Sequence, residues 1–137
     1  MLNDNKIREL IENAEKARLR SYSPYSNFKV GAALLAGNGE IFIGCNIENA
    51  AFSPTNCAER TAFFKAVSEG IREFTAIAIV GGKDGEVREF CSPCGVCRQV
   101  MMEFAPELEV ICLNGKGEAR HYTLRQLLPE SFGPEYL

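Results

Sequence analysis

The 137 residues are enough for one domain, residues 1–137, and at 46% hydrophobic they can bury a core without disulfide staples. A formal charge of −3 tells against a nucleic-acid partner, because phosphate binding needs a concentrated Lys/Arg face. The opening MLNDNKIREL lacks the unbroken apolar core of a secretory signal and no later apolar run approaches bilayer length, which predicts a cytoplasmic protein with no membrane partner.

Taken in order, Ile7, Leu10, Ile11, Ala14 and Ala17 recur at helical spacing and predict an amphipathic helix over about 4–19, ending before Ser23 and Pro24. Phe28, Val30, Ala32 and Leu34 alternate, Gly37-Asn38-Gly39 turns, and Ile41-Phe42-Ile43 returns, which predicts a β-hairpin. Residues from Cys57 to Glu69 read as a second helix stopped by Gly70, apolar around most of its circumference and so expected to be buried. Ile77 to Val80 is a short apolar run suited to a central strand, followed by a long loop from Gly81 to Glu89. Ser92 as N-cap and Pro93 at the first position open a third helix that runs until Pro106. Glu109 to Leu113 and Ala119 to Thr123 are late strands joined at Asn114-Gly115-Lys116-Gly117, and a short helix over Leu124 to Leu128 stops at Pro129. The order predicts an α/β fold with one mixed sheet and helices on both faces.

The six cysteines carry the chemistry, since an intracellular chain keeps its thiols reduced. Cys112 falls in the apolar run Val110 to Leu113 and reads as core, and Cys45 is read the same way. Cys57 opens the second helix, while Cys94 and Cys97 open the third. At a helix N-terminus the free N–H groups and the positive end of the dipole favour thiolate, the form a metal ligand requires. Tetrahedral thiolate sites select zinc, and three sulfurs leave a fourth position for water, the mark of a catalytic site. Glu59, two residues after Cys57, is placed to move protons between that water, the substrate ring and the leaving group. Arg60 can hydrogen-bond a thiolate and drain its negative charge, with Gln99 a candidate to orient it. Cys91-Ser92-Pro93-Cys94 offers a second ligand pair, so a closed site of four sulfurs, structural and not catalytic, remains the alternative at this point. The lone His121 is expected to be structural, and Arg98 to be either a second charge-balancing group or a surface ion pair.

Four motifs in this order, Phe28-x-Val30-Gly31-Ala32-Ala33, Gly44 to Ala50, Cys57-Ala58-Glu59-Arg60-Thr61-Ala62 and Ser92 to Gln99, resemble the small homotetrameric zinc-dependent cytidine deaminases. The likeness runs from about Ser23 to Phe132, and zinc deaminases as a class pair a ligand-x-Glu element with Pro-Cys-x-x-Cys. It implies a three-layer α/β/α sandwich with a mixed five-stranded sheet and one Zn²⁺ per subunit. It also implies hydrolysis of cytidine and deoxycytidine to their uracil nucleosides in pyrimidine salvage. Asn46 and Glu48 match the pair that holds the ribose 3′-hydroxyl. Phe28 matches the aromatic against the pyrimidine, and the backbone N–H of Ala58 the donor to its 2-carbonyl. Phe132 matches an aromatic that enters a neighbouring subunit's site, which implies a homotetramer with shared active sites. Phe52 stands where the family often has tyrosine, so a hydroxyl is absent there. Within the superfamily the rival substrate is another aminopyrimidine nucleoside such as blasticidin S, against which Asn46-x-Glu48 argues.

Overall fold

The computed structural model describes residues 2–137. Its five-stranded sheet has the order β2-β1-β3-β4-β5, built from β1 (Phe28–Ala36), β2 (Ile41–Cys45), β3 (Phe74–Lys83), β4 (Glu109–Leu113) and β5 (Ala119–Thr123). Only the β3–β4 pair is parallel, so the sheet is mixed as expected. The helices are α1 (Asp4–Arg18), α2 (Ala58–Ser68), α3 (Gly95–Phe104) and the short α4 (Leu124–Leu127).

Alternation along each strand sorts the core into two layers. Ala33 and Leu35 of β1, Ala76, Ala78 and Val80 of β3, and Ile111 and Leu113 of β4 face Leu10 and Ala14 of α1. Their neighbours Ala32, Leu34, Ile77, Ile79, Val110 and Cys112 face α2 and α3, around the fully buried Phe63 and Met101. The result is the three-layer α/β/α sandwich, with α1 alone on one face and all the cysteine-bearing helix starts on the other.

Both helix layers lie unusually near the sheet. A Cβ on Gly44 of β2 would stand 2.4 Å from the Ala58 carbonyl oxygen and 2.6 Å from the Ala62 nitrogen, so only glycine lets α2 settle there. Gly44→Ala is expected to cost about 1–3 kcal/mol of stability by forcing α2 outward, measured by denaturant unfolding. A change within 0.5 kcal/mol, about the size of an ordinary surface substitution, would contradict this packing account.

Several boundaries differ from expectation. Strand β3 is ten residues long and carries on through Gly81 and Gly82 to Lys83, because it pairs with the whole of β1 from Phe28↔Lys83 onward. The loop after it therefore begins later than Gly81. Helix α3 begins at Gly95 with Cys94 as N-cap, displacing Ser92 from that role, because the Cys94 sulfur accepts from the Cys97 amide. Helix α2 is not buried all round: Phe63 is, but Phe64 is 46% exposed on the side away from the sheet. Cys112 lies in the core as expected, whereas Cys45 is only half-buried, its thiol donating to the Arg20 carbonyl at 3.4 Å. Among the described residues no helix is long and apolar enough to cross a membrane.

Candidate active site

The starts of α2 and α3 meet on one face of the sheet. The Sγ atoms of Cys57, Cys94 and Cys97 lie within 4.8 Å of one another, and among the described residues they form the only such group of potential metal ligands. Cys57 and Cys94 are 3.7 Å apart, Cys94 and Cys97 3.5 Å. Bonds of about 2.3 Å in a tetrahedron put zinc-bound sulfurs roughly 3.8 Å apart, so the donor set fits zinc in both element and spacing. Cys91 is outside the group, and burial pushes its thiol up to about 12, which leaves it protonated. Because the Cys91 sulfur lies outside the cluster, the four-sulfur alternative lacks its fourth ligand.

The sulfurs ionise at one another's expense. Cys57 is held down to about 5, by the neighbouring Cys97 thiol first and by Arg60 and Cys94 after it, against the penalty of burial. Cys97 is pushed up in return, by its interaction with Cys57 and by burial. A divalent cation among them removes the conflict and allows all three to be thiolates. Arg60 Nη2 donates to Cys57 Sγ at 3.4 Å, the thiolate contact expected of it.

Glu59 faces the same space. The residue is 4% exposed, and burial pushes its carboxyl up to about 7, partly offset by a hydrogen bond from its own amide. A cavity of about 310 Å³ extends from Cys57, Cys94 and Glu59 past Ala58 and Phe28 to Asn46 and Glu48. The Ala58 N–H belongs to the helix start, where donors lack intrahelical partners.

Asn46 and Glu48 are held firmly before any ligand arrives. Asn46 Oδ1 accepts from the Val30 amide at 2.9 Å and from the Ser21 hydroxyl, and its Nδ2 donates to the Phe28 carbonyl at 2.7 Å. Glu48 accepts from the amides of Tyr25 and Ser26 at 2.9 and 3.1 Å and from the Ser26 hydroxyl, and this last contact chiefly holds its carboxyl below the usual range. By inventory, one N–H of Asn46 and one lone pair of Glu48 are left over, which suits a hydroxyl that both accepts and donates.

Of the remaining candidates, Gln99 and Arg98 land elsewhere than expected. Gln99 does not meet Arg60; its Nε2 donates to the Phe132 carbonyl at 2.9 Å and ties α3 to the C-terminal segment. Phe132 is absent from the cavity of its own chain, 57% exposed and stacked on Tyr136 at 5.2 Å. Arg98 is neither charge-balancing nor ion-paired: it donates to the carbonyls of Pro93 and Leu127 and to the Ser92 hydroxyl, pinning the turn that carries Cys94. His121 pairs across the β4–β5 ladder with Glu109 at 3.1 Å. Phe52, at a φ of 61°, is 73% exposed and meets Tyr25 edge-on. Ser21 and Ser26 belong to the site without standing out in the sequence, because a lone serine in a turn gives no periodic or spacing signal, while Cys91, expected as a possible fourth ligand, lines the cavity outside the cluster.

Residues 4–113 match the model of the cytidine and deoxycytidylate deaminase zinc-binding region. A cytidine deaminase of Sporosarcina psychrophila is 53% identical over 132 residues, covering 96% of this chain and 94% of that protein. A probable cytidine deaminase of Dictyostelium discoideum is 39% identical over 137 residues, covering 99% and 90%. The crystal structure of cytidine deaminase from Burkholderia pseudomallei superposes with a TM-score of 0.85 at 51% identity, covering 91% of this chain and 98% of that one.

Proposed function

Because the chain belongs to the cytidine and deoxycytidylate deaminase family, we propose that Cys57, Cys94 and Cys97 hold its zinc and that Glu59 moves the protons of the reaction. That reaction is hydrolysis of the 4-amino group of cytidine, giving uridine and ammonia, a step of pyrimidine salvage. Deoxycytidine is the second substrate of this reading.

The carrying observation is that two of the three clustered sulfurs, those of Cys57 and Cys94, line one cavity with the buried Glu59, Asn46 and Glu48. Zinc supplies Lewis acidity that makes water a nucleophile near neutral pH. Glu59 takes one proton from the attacking water and delivers it to ring N3, then takes the second from the new C4 hydroxyl and passes it to the amine, which leaves as ammonia when the C4–N bond breaks. Arg60 withdraws charge from the Cys57 sulfur, without which three thiolates over-neutralise the metal. Phe28 packs on the pyrimidine, the Ala58 N–H donates to its 2-carbonyl, and the remaining N–H of Asn46 and lone pair of Glu48 take the 3′-hydroxyl.

Zinc analysis together with ultraviolet monitoring of cytidine-to-uridine conversion on one purified sample tests this directly. Conversion with one zinc per chain is expected; turnover of blasticidin S but not of cytidine would reject the substrate.

The assembly in this reading is a cytoplasmic homotetramer, supported by the exposure of Phe64, and of Phe132 away from its own cavity. Sedimentation should give four times the 15.1 kDa chain mass. Phe132→Ala should raise KM for cytidine about 2- to 10-fold, the worth of one aromatic contact. An unchanged KM would contradict a shared site.

A further inference from the structure

The cavity has a thin wall. On its far side lies a second cavity of about 270 Å³ bordered by Gly82, Lys83, Arg88 and Phe90, and Phe28 and Cys91 line both. Gly81 sits behind them. A Cβ built there would stand 2.8 Å from Cys91 Sγ, 3.0 Å from Phe28 Cε1 and 3.1 Å from Val30 Cγ2. A sulfur, a ring edge and a methyl thus converge over the α-carbon of one glycine, and any side chain at that position would drive them apart.

We propose that Cys91, seated on Gly81 against Phe28, is a specificity-determining residue that closes the pyrimidine pocket along the C5 edge and limits the substituent admitted there. The proposal rests on the substrate orientation given above. In it, C4 lies by Cys57, Cys94 and Glu59, and the sugar lies by Asn46 and Glu48. The N3–C2 edge runs along the start of α2, at Glu59 and Ala58. A planar six-membered ring so placed turns its C5–C6 edge to the opposite wall, where the cavity is lined by Phe28, Val30 and Cys91. Of the two side chains that line both cavities, Cys91 is the smaller, so the whole separation at its position is one sulfur atom. As a neutral thiol it acts there as a small, polarisable apolar group.

The test compares kcat/KM for 5-methylcytidine and cytidine on zinc-loaded protein, taken as a ratio. Cys91→Ala removes the sulfur and should raise the ratio about tenfold, the usual worth of room for one methyl. Gly81→Ala adds a methyl behind Cys91 and Phe28, pushes both toward the substrate, and should lower the ratio. The double variant should return close to the wild-type ratio, because the new methyl occupies the space the sulfur left; such non-additivity is the signature of direct contact. Cys91→Ser and Cys91→Leu supply the widening and narrowing arms should either alanine variant fail to fold.

A ratio that stays within about twofold across active variants, or that moves the same way on widening and narrowing, overturns the proposal alone. Absence of cytidine turnover by zinc-loaded wild type overturns the deaminase reading, and the proposal with it.

Discussion

Glu59→Gln is expected to keep one zinc per chain and to lose activity by about 10²–10⁴-fold, the range for removal of a positioned proton carrier. Glutamine has nearly the same shape, so the cavity wall and the start of α2 stay in place. What goes is the ability to accept and return a proton in a space almost closed to bulk solvent, where the residue is only 4% exposed and no buffer can substitute. Because the native carboxyl lies buried, its replacement by a neutral amide also removes a cost of charge burial, so no loss of stability should accompany the loss of rate. Metal content by atomic absorption and turnover by ultraviolet absorbance, read on one preparation, separate the two effects. Full zinc with normal turnover would remove Glu59 from the chemistry.

Cys94→Ala should abolish both metal binding and activity. Cys94 Sγ is at 3.7 Å from one partner sulfur and 3.5 Å from the other, so no other cysteine of the group can replace it. It also caps α3 by accepting from the Cys97 amide, and loss of a cap costs about 1 kcal/mol. Metal-binding energy is folding energy as well, so the melting temperature should fall by more than the cap alone explains, which is roughly 3–5 °C. Cys94→Ser separates the duties: its hydroxyl can cap the helix, so it should recover the smaller part of the loss while zinc and activity stay absent. A Cys94→Ala protein with stoichiometric zinc would refute the ligand assignment.

The parts of this molecule that are legible in its sequence are those written in periods and spacings. Alternation marks the hairpin and the late strands, and the 3.6-residue recurrence marks α1. Cys57-x-Glu59 and Cys94-x-x-Cys97 mark the cysteine cluster that the fold brings together. Strand β3 runs longer than its apolar stretch because Gly81 and Gly82 carry no strand preference of their own; their extension is imposed by the partner strand. The start of α3 is displaced from Ser92-Pro93, which satisfies the usual capping pattern, because only the three-dimensional position of a sulfur overrides it. The roles of Gln99 and Arg98 are illegible for a related reason. Long polar side chains choose among partners distant in the chain, here the carbonyls of Phe132 and Leu127, and nothing in their immediate neighbourhood announces the choice.

The two crossovers that place α2 and α3 also impose an order of events. One sulfur is delivered between β2 and β3, and the other two arrive only after β3, 37 residues later in the chain. A nascent chain that has emerged as far as β3 holds one thiol of the three and can offer a passing ion no chelate. With Cys57, Cys94 and Cys97 as the proposed ligands, high-affinity metal capture would wait until the parallel β3–β4 pairing draws the second crossover against the first. In that sequence the ion acts as a latch on an assembled scaffold, and its uptake during synthesis would report that the central strands have already found their register.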